Sequence, residues 1–160
     1  MSVRTQIKPG YHGSALIDPT GNYRYRLKRW WDNGTSNQWV TKTPVFVMLN
    51  PSTASALIDD PTIRRCVGLS TAMGYEACQI VNLFALRSTD PRALAKSESP
   101  VGTLNDQVLY EATNDAAKVI LAWGACAALP KVWRRRVFDI RIKKVLEILQ
   151  KGIKAHQVQS

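Results

Sequence analysis

The sequence predicts an α/β domain: a three-layer sandwich around a central, mainly parallel sheet. Three observations carry this. Val45-Phe-Val-Met-Leu49 is a continuous apolar run with a β-branched and aromatic bias, the pattern of a strand covered on both faces. Ala77 to Leu86 contains a second such run, and Lys118 to Trp123 reads as a third buried strand. The segments between them place apolar residues at helical spacing, and strand, helix and strand in this order make a right-handed crossover between parallel strands. With 160 residues, the simplest organisation is a single domain over residues 1–160.

Taken in order, the first 20 residues carry Pro9-Gly10, Gly13 and Asp18-Pro19, too much punctuation for a helix. They are expected to be irregular, with room for a short strand at Ser14 to Ile17. Asn22 to Trp30 alternates Tyr23, Tyr25 and Leu27 with Arg24, Arg26 and Lys28, a period of two that predicts a strand with one buried and one basic face. Asp32-Asn33-Gly34 reads as a turn, and Trp39 to Leu49 as its antiparallel partner. Asp60-Pro61 opens a helix, with Asp60 as N-cap and Pro61 at the first position, and Met73-Gly74 closes it. A short helix at Pro91 to Lys96, a helix at Asn105 to Ala117 and a basic amphipathic helix at Lys131 to Gln150 follow. Residues 151–160 read as a flexible tail.

The net charge of +10 favours a polyanionic partner, with nucleic acid foremost and a nucleotide as the alternative. Two basic clusters stand out: Arg24, Arg26, Lys28 and Arg29 among aromatic residues, and a run from Lys131 to Lys154. No apolar run approaches the roughly 20 residues that span a bilayer, and the amino terminus lacks a signal-peptide core, so no membrane partner and a cytoplasmic location are expected. Cys66, Cys78 and Cys126 lack metal-type spacing and read as buried free thiols. His12 and His156 are too isolated for a metal site, and no metal or cofactor is expected. Phosphate-binding Gly-x-x-x-x-Gly-Lys, dinucleotide Gly-x-Gly-x-x-Gly and Gly-x-Ser-x-Gly nucleophile patterns are all missing from the sequence.

Polar loops follow all three predicted strands: Asn50-Pro51-Ser52-Thr53, Arg87-Ser88-Thr89-Asp90 and Trp123-Gly124. If the strands are parallel, the loops share one edge and frame one crevice, where ligands of such sheets sit. There Asn50 could meet a base edge or orient a water, Pro51 fixes the turn, and Ser52 and Thr53 offer donors to a phosphate. Asp59 and Asp60 could act as base or metal ligand, although helix capping by itself explains Asp60. Arg64 and Arg65 suit bidentate phosphate contact. Arg87 and Asp90 are placed to form a local pair.

Six motifs occur in the order Tyr23-Arg-Tyr-Arg-Leu, Met48-Leu-Asn-Pro-Ser-Thr-Ala, Asp59-Asp-Pro-Thr-Ile-Arg-Arg-Cys66, Asn82-Leu-Phe-Ala-Leu-Arg-Ser-Thr-Asp-Pro91, Pro100-Val-Gly with Asn105-Asp106, and Ala122-Trp-Gly124. Together they resemble a bacterial and phage family, domain-of-unknown-function family 1643, over roughly residues 15 to 130. That family is similar to the uracil-DNA glycosylase superfamily, a three-layer α/β fold around a four-stranded parallel sheet. Met48-Leu-Asn50-Pro51 resembles the superfamily's first motif, with Met48 where the glycosylases have Gly. The resemblance implies a flipped base in the crevice and a water positioned by the first-motif loop. It casts Asn50, Asp59 and Asp60 as catalytic candidates. Pro51, Ser52, Thr53, Arg64, Arg65, Asn82, Arg87, Asp90 and Trp123 would contact base or phosphate, and Arg134, Arg135, Arg136, Lys143 and Lys144 the nucleic-acid backbone. The sequence departs from the pattern at its end. Lys154-Ala-His-Gln-Val-Gln-Ser160 stands where the superfamily carries a His-Pro-type loop, which implies that the last strand is missing. A DNA-binding, glycosylase-like protein, a non-catalytic nucleic-acid- or protein-binding module, and an enzyme on free nucleotides are the readings this leaves.

Overall fold

A computed structural model of the chain describes residues 3–31 and 42–159, the side chains of 3–7 and 156–159 excepted. The strands are β1 (Val3–Lys8), β2 (Tyr11–Ile17), β3 (Arg24–Trp31), β4 (Thr43–Met48), β5 (Ala77–Asn82) and β6 (Ala116–Leu121). They form one sheet in the order β1-β2-β3-β5-β4-β6. Only β5-β4-β6 is parallel; β1-β2, β2-β3 and β3-β5 are antiparallel. The sheet is therefore mixed rather than mainly parallel.

Layering follows from strand alternation. On one face Phe46, Cys78, Ile80 and Leu27 pack with Ile63 and Cys66 of α1 (Pro61–Ala72). On the other, Val45, Val47 and Val81 pack with Val108, Leu109 and Ala112 of α3 (Asn105–Asn114) and with Phe138, Val145 and Leu149 near the carboxyl end. The five-residue α2 (Arg92–Lys96) contributes Leu94 to this second core. Helices on both faces of the sheet make three layers, and β4, apolar on both sides, lies between two parallel neighbours.

Several local expectations change. The opening segment is a hairpin rather than irregular: Lys8 faces Tyr11 across a Pro9-Gly10 turn, with Gly10 at φ +70°. Proline followed by a left-handed glycine suits a type II turn, so the punctuation that excludes a helix here joins two strands. β4 does not pair with β3, because β5 inserts between them. The Asp32-Asn33-Gly34 turn and the Trp39 end of the expected strand lie outside the described residues. β6 runs from Ala116 rather than Lys118, sits at the sheet edge and is only half-buried, and α3 is correspondingly shorter. The basic helix comprises α4 (Lys131–Trp133), a π-helical turn (Arg134–Phe138) and α5 (Asp139–Gln159). The wider turn keeps Trp133 and Phe138, five residues apart, in one core.

Nor does the carboxyl-terminal helix end at Gln150: α5 continues to Gln159. Gly152 is buried inside it. A Cβ there would collide with Thr113 Oγ1 and come within 3.0 Å of the Tyr110 carbonyl, so glycine permits the close approach of α5 to α3. His156 falls in this helix and not in a loop after a strand, and no strand follows β6 among the described residues.

Candidate functional site

Because β4, β5 and β6 are parallel, the three polar loops do share one edge of the sheet. The chain leaves β4 toward α1 on one face, while the segments after β5 and β6 lead to the opposite face. Neighbouring strands β4 and β6 thus send their chains to opposite sides, and the carboxyl edge between residues 49–53 and 122–126 is the position at which sheets of this kind form a ligand crevice. Leu49, Trp123, Cys126 and Trp133 pack against the same core as the buried Phe84, whose ring lies 5.4 Å from that of Trp133. Gly124 (φ +73°) and Cys126 (φ +51°) give this loop two left-handed residues, the second one strained.

Asn50 is half-buried at the lip. Its Nδ2 donates to the carbonyls of Pro51 (3.1 Å), Ser88 (3.0 Å) and Leu86 (3.4 Å). Three surrounding carbonyls fix which amide atom is nitrogen. Oδ1 accepts no hydrogen bond among the described residues. Pro51 is buried, and its carbonyl also accepts from the Ser88 amide at 2.9 Å, tying the first two loops together.

The acidic candidates are committed elsewhere. Asp59 accepts from Arg29 Nε at 2.7 Å and from the Tyr11 hydroxyl at 2.6 Å. Burial first, and then this bond to Asp59, push the Tyr11 hydroxyl well above the ordinary phenol range. Asp60 caps α1, accepting from the Ile63 amide at 2.9 Å. Asp90 pairs with Arg92 at 3.0 Å and not with Arg87. Among the described residues no group of three His, Cys, Asp or Glu is placed to hold a metal.

Arg64 donates to the Asp59 carbonyl at 3.1 Å and Arg65 faces solvent. Arg87, instead, spans the carbonyls of Ser52 (3.4 Å), Thr53 (3.5 Å) and Gly21 (3.2 Å). Asn82 is buried on the α1 face with its Nδ2 unpartnered among the described residues, and its backbone carbonyl accepts from Asn105 Nδ2 at 3.0 Å. Trp123 is half-buried. Arg135, Arg136, Lys143 and Lys144 are exposed and Arg134 is half-buried, with Lys144 held 3.0 Å from Asp106.

The basic faces predicted from periodicity need correction. Arg24 and Arg29 are 2% and 0% exposed, and Arg141 of the carboxyl-terminal cluster is 5% exposed. A bulge opposite Leu16 and Ile17 leaves Tyr25 without a partner in β2 and turns Arg24 toward the α1 face. There Arg24 holds the Ala54 carbonyl at 2.7 Å, and Arg29 holds those of Ser55 (2.5 Å) and Ile58 (3.2 Å). Together with Arg87, these two arginines grip the loop from Ser52 to Ile58 by its carbonyls. Sequence reasoning missed this scaffold, although Arg24 stands in the Tyr23-Arg-Tyr-Arg motif. A second pair of motifs meets nearby: Gly102, at φ +82°, seats its Cα against Tyr23 and Tyr25, where a Cβ would come within 2.9 Å of the Tyr25 ring. Cys66 and Cys78 are buried thiols, pushed by that burial up to about 11 and about 12, while Cys126 is only half-buried.

With this geometry in place, the comparison with known families is specific. The family described as protein of unknown function DUF1643 matches residues 24–159. The chain belongs to this family. The match begins at Arg24 and runs to the end of α5, so the arginine-held loop, the crevice and the carboxyl-terminal helix all fall within the family's span. No curated protein and no solved structure matches the chain.

Proposed function

We propose that this family member binds DNA through the exposed cations of the carboxyl-terminal helix and receives a base in the crevice between Asn50 and Trp123. The observation that carries the reading is the Asn50 amide. Its donors are spent on three carbonyls, which fixes the amide and leaves Oδ1 an acceptor without a partner among the described residues. An asparagine fixed by its own scaffold can read a donor on a base or hold a water. The first-motif resemblance, the position of β4 between two parallel strands and the net charge of +10 support the same reading.

Excision of the base, as in the uracil-DNA glycosylase superfamily, is the second reading, and the same Oδ1 favours it because it could position a water. Asp59 and Asp60 are poor general bases here, one held by Arg29 and Tyr11 and the other by a helix terminus. Any hydrolysis would rest on Asn50.

Duplex and single-stranded oligonucleotides carrying uracil or other altered bases test both readings, with binding and abasic sites measured together. Binding is expected in low salt, with a preference for substrates whose altered base is unpaired. Asn50→Ala should reduce that preference about tenfold while leaving binding to unmodified DNA in place. A preference that persists in Asn50→Ala protein with a native melting profile would sink the role of Asn50. Absence of DNA binding at low salt would sink the proposal itself. Abasic sites formed by the parent protein alone would establish the second reading.

A further inference from the structure

Two arginines of β3 are buried on one face of the sheet and used very differently. Arg29 bonds through all three nitrogens: Nε to Asp59 at 2.7 Å, one Nη to the Lys28 carbonyl at 2.9 Å, the other to Ser55 and Ile58. Arg24 makes a single side-chain bond, to Ala54, and its Nε is buried with no partner among the described residues. Asp60 attracts Arg24 electrostatically, but its carboxylate caps α1 and makes no ion pair with Arg24 among the described residues. Among the described residues Arg87 is a second guanidinium without a carboxylate partner, held by carbonyl contacts of 3.2 to 3.5 Å.

The backbone brings these two cations together. Tyr23 pairs with Leu86, the Arg24 amide donates to Ala85 at 2.9 Å, and the Arg87 amide donates to Asn22 at 2.8 Å. Burial lowers the Arg24 pKa to about 10, with Asp60 opposing and Arg87 and Arg29 adding to the drop. A buried guanidinium with idle donors beside a like charge is costly unless something anionic completes it. The planar fork of arginine matches phosphate oxygens two at a time.

We propose that Arg24 and Arg87, with the Ser52–Ala54 turn they grip, form a subsite for one phosphate group of a nucleotide or a nucleic-acid backbone. Asn50 donates to the carbonyls on either side of Arg87, so a base at Asn50 and a phosphate at Arg87 can belong to the same nucleotide. The subsite deepens the base-binding reading and rests on it only for the source of the phosphate.

Thermal unfolding of the whole protein in inorganic phosphate, against chloride at matched ionic strength, tests the subsite directly. At about 100 times its Kd, phosphate should raise Tm by about 5–10 °C and chloride should not. Arg87→Gln and Arg24→Met should each abolish the phosphate response. An equal response to chloride, or a parent-like phosphate response in both variants, overturns the subsite. 5′-Nucleotides, nucleosides and a single-stranded oligonucleotide with methylphosphonate linkages then distinguish the source. Loss of binding on neutralising the linkages assigns a backbone phosphate, and preference for nucleotide over nucleoside assigns a free one. Base preference in the parent separates the two proposals: a phosphate response without it supports the subsite and removes the base reading.

Discussion

Asp106 accepts from Arg141 at 2.6 Å and from Lys144 at 3.0 Å. Burial alone would raise its pKa, but the bonds from Lys144 and Arg141 outweigh that effect and hold the carboxyl below the ordinary range. A folded-state pKa below the unfolded value means that the contribution is present above about pH 4 and is lost as pH falls through the folded value. Asp106→Asn should therefore lower the urea midpoint at neutral pH and flatten its decline in acid. A parent-like acid limb in the variant would remove Asp106 from that transition. The contrast between two adjacent acids shows what is legible at this scale. Asp60 as a helix cap could be read from the sequence, because its partner Ile63 is three residues away. Asp59 could not be read, because Tyr11 and Arg29 reach it from 48 and 30 residues away.

Helix α5 packs on α3 through the apolar core and comes closest to it where Gly152 meets Thr113. Thr113 donates its hydroxyl to the Leu109 carbonyl at 2.9 Å, which stops it from rotating away from Gly152. Gly152→Ala would gain about 1 kcal/mol from helix propensity, yet the added Cβ meets Thr113 and the Tyr110 carbonyl, and such overpacking costs about 1–3 kcal/mol. The net expectation is a lower urea midpoint, and a midpoint at or above the parent value would mean that the two helices can separate freely. This glycine signals a helix end in the sequence. Only the crossing of α3 and α5, which brings residues 113 and 152 together, turns it into a packing position. Boundaries at Pro61 and Met73 were legible for the opposite reason: proline, an aspartate cap and a left-handed Gly74 act within one turn.

Across the whole molecule, the charge of +10 divides into cations that face solvent and cations that build the interior. Arg24, Arg29 and Arg141 belong to the second group, whereas Arg135, Arg136 and Lys143 are among the exposed cations of the carboxyl-terminal segment. If this segment binds duplex DNA, every phosphate it neutralises adds about 0.9 to the steepness of log K against log salt. Replacing all three by Gln should therefore reduce that slope by about 2–3 and weaken binding to every sequence alike. Fluorescence anisotropy over a range of salt concentrations measures both, and an unchanged slope would place the DNA on another surface.

Signals that act over a few residues were enough to mark the three strands that prove parallel, the helix at Pro61 and the loops that leave the sheet's carboxyl edge, but not the opening hairpin. They are apolar runs, helical spacing, a cap and a turn. The same signals pointed to Asn50 and its loop. Which charges remain available to a ligand was settled only by the three-dimensional arrangement. Strand order, the bulge that turns Arg24 inward and the partners of Asp59 all depend on residues far apart in the chain. A buried arginine and a solvated one leave the same local pattern, and the difference between them is set by the loop that folds over one of them.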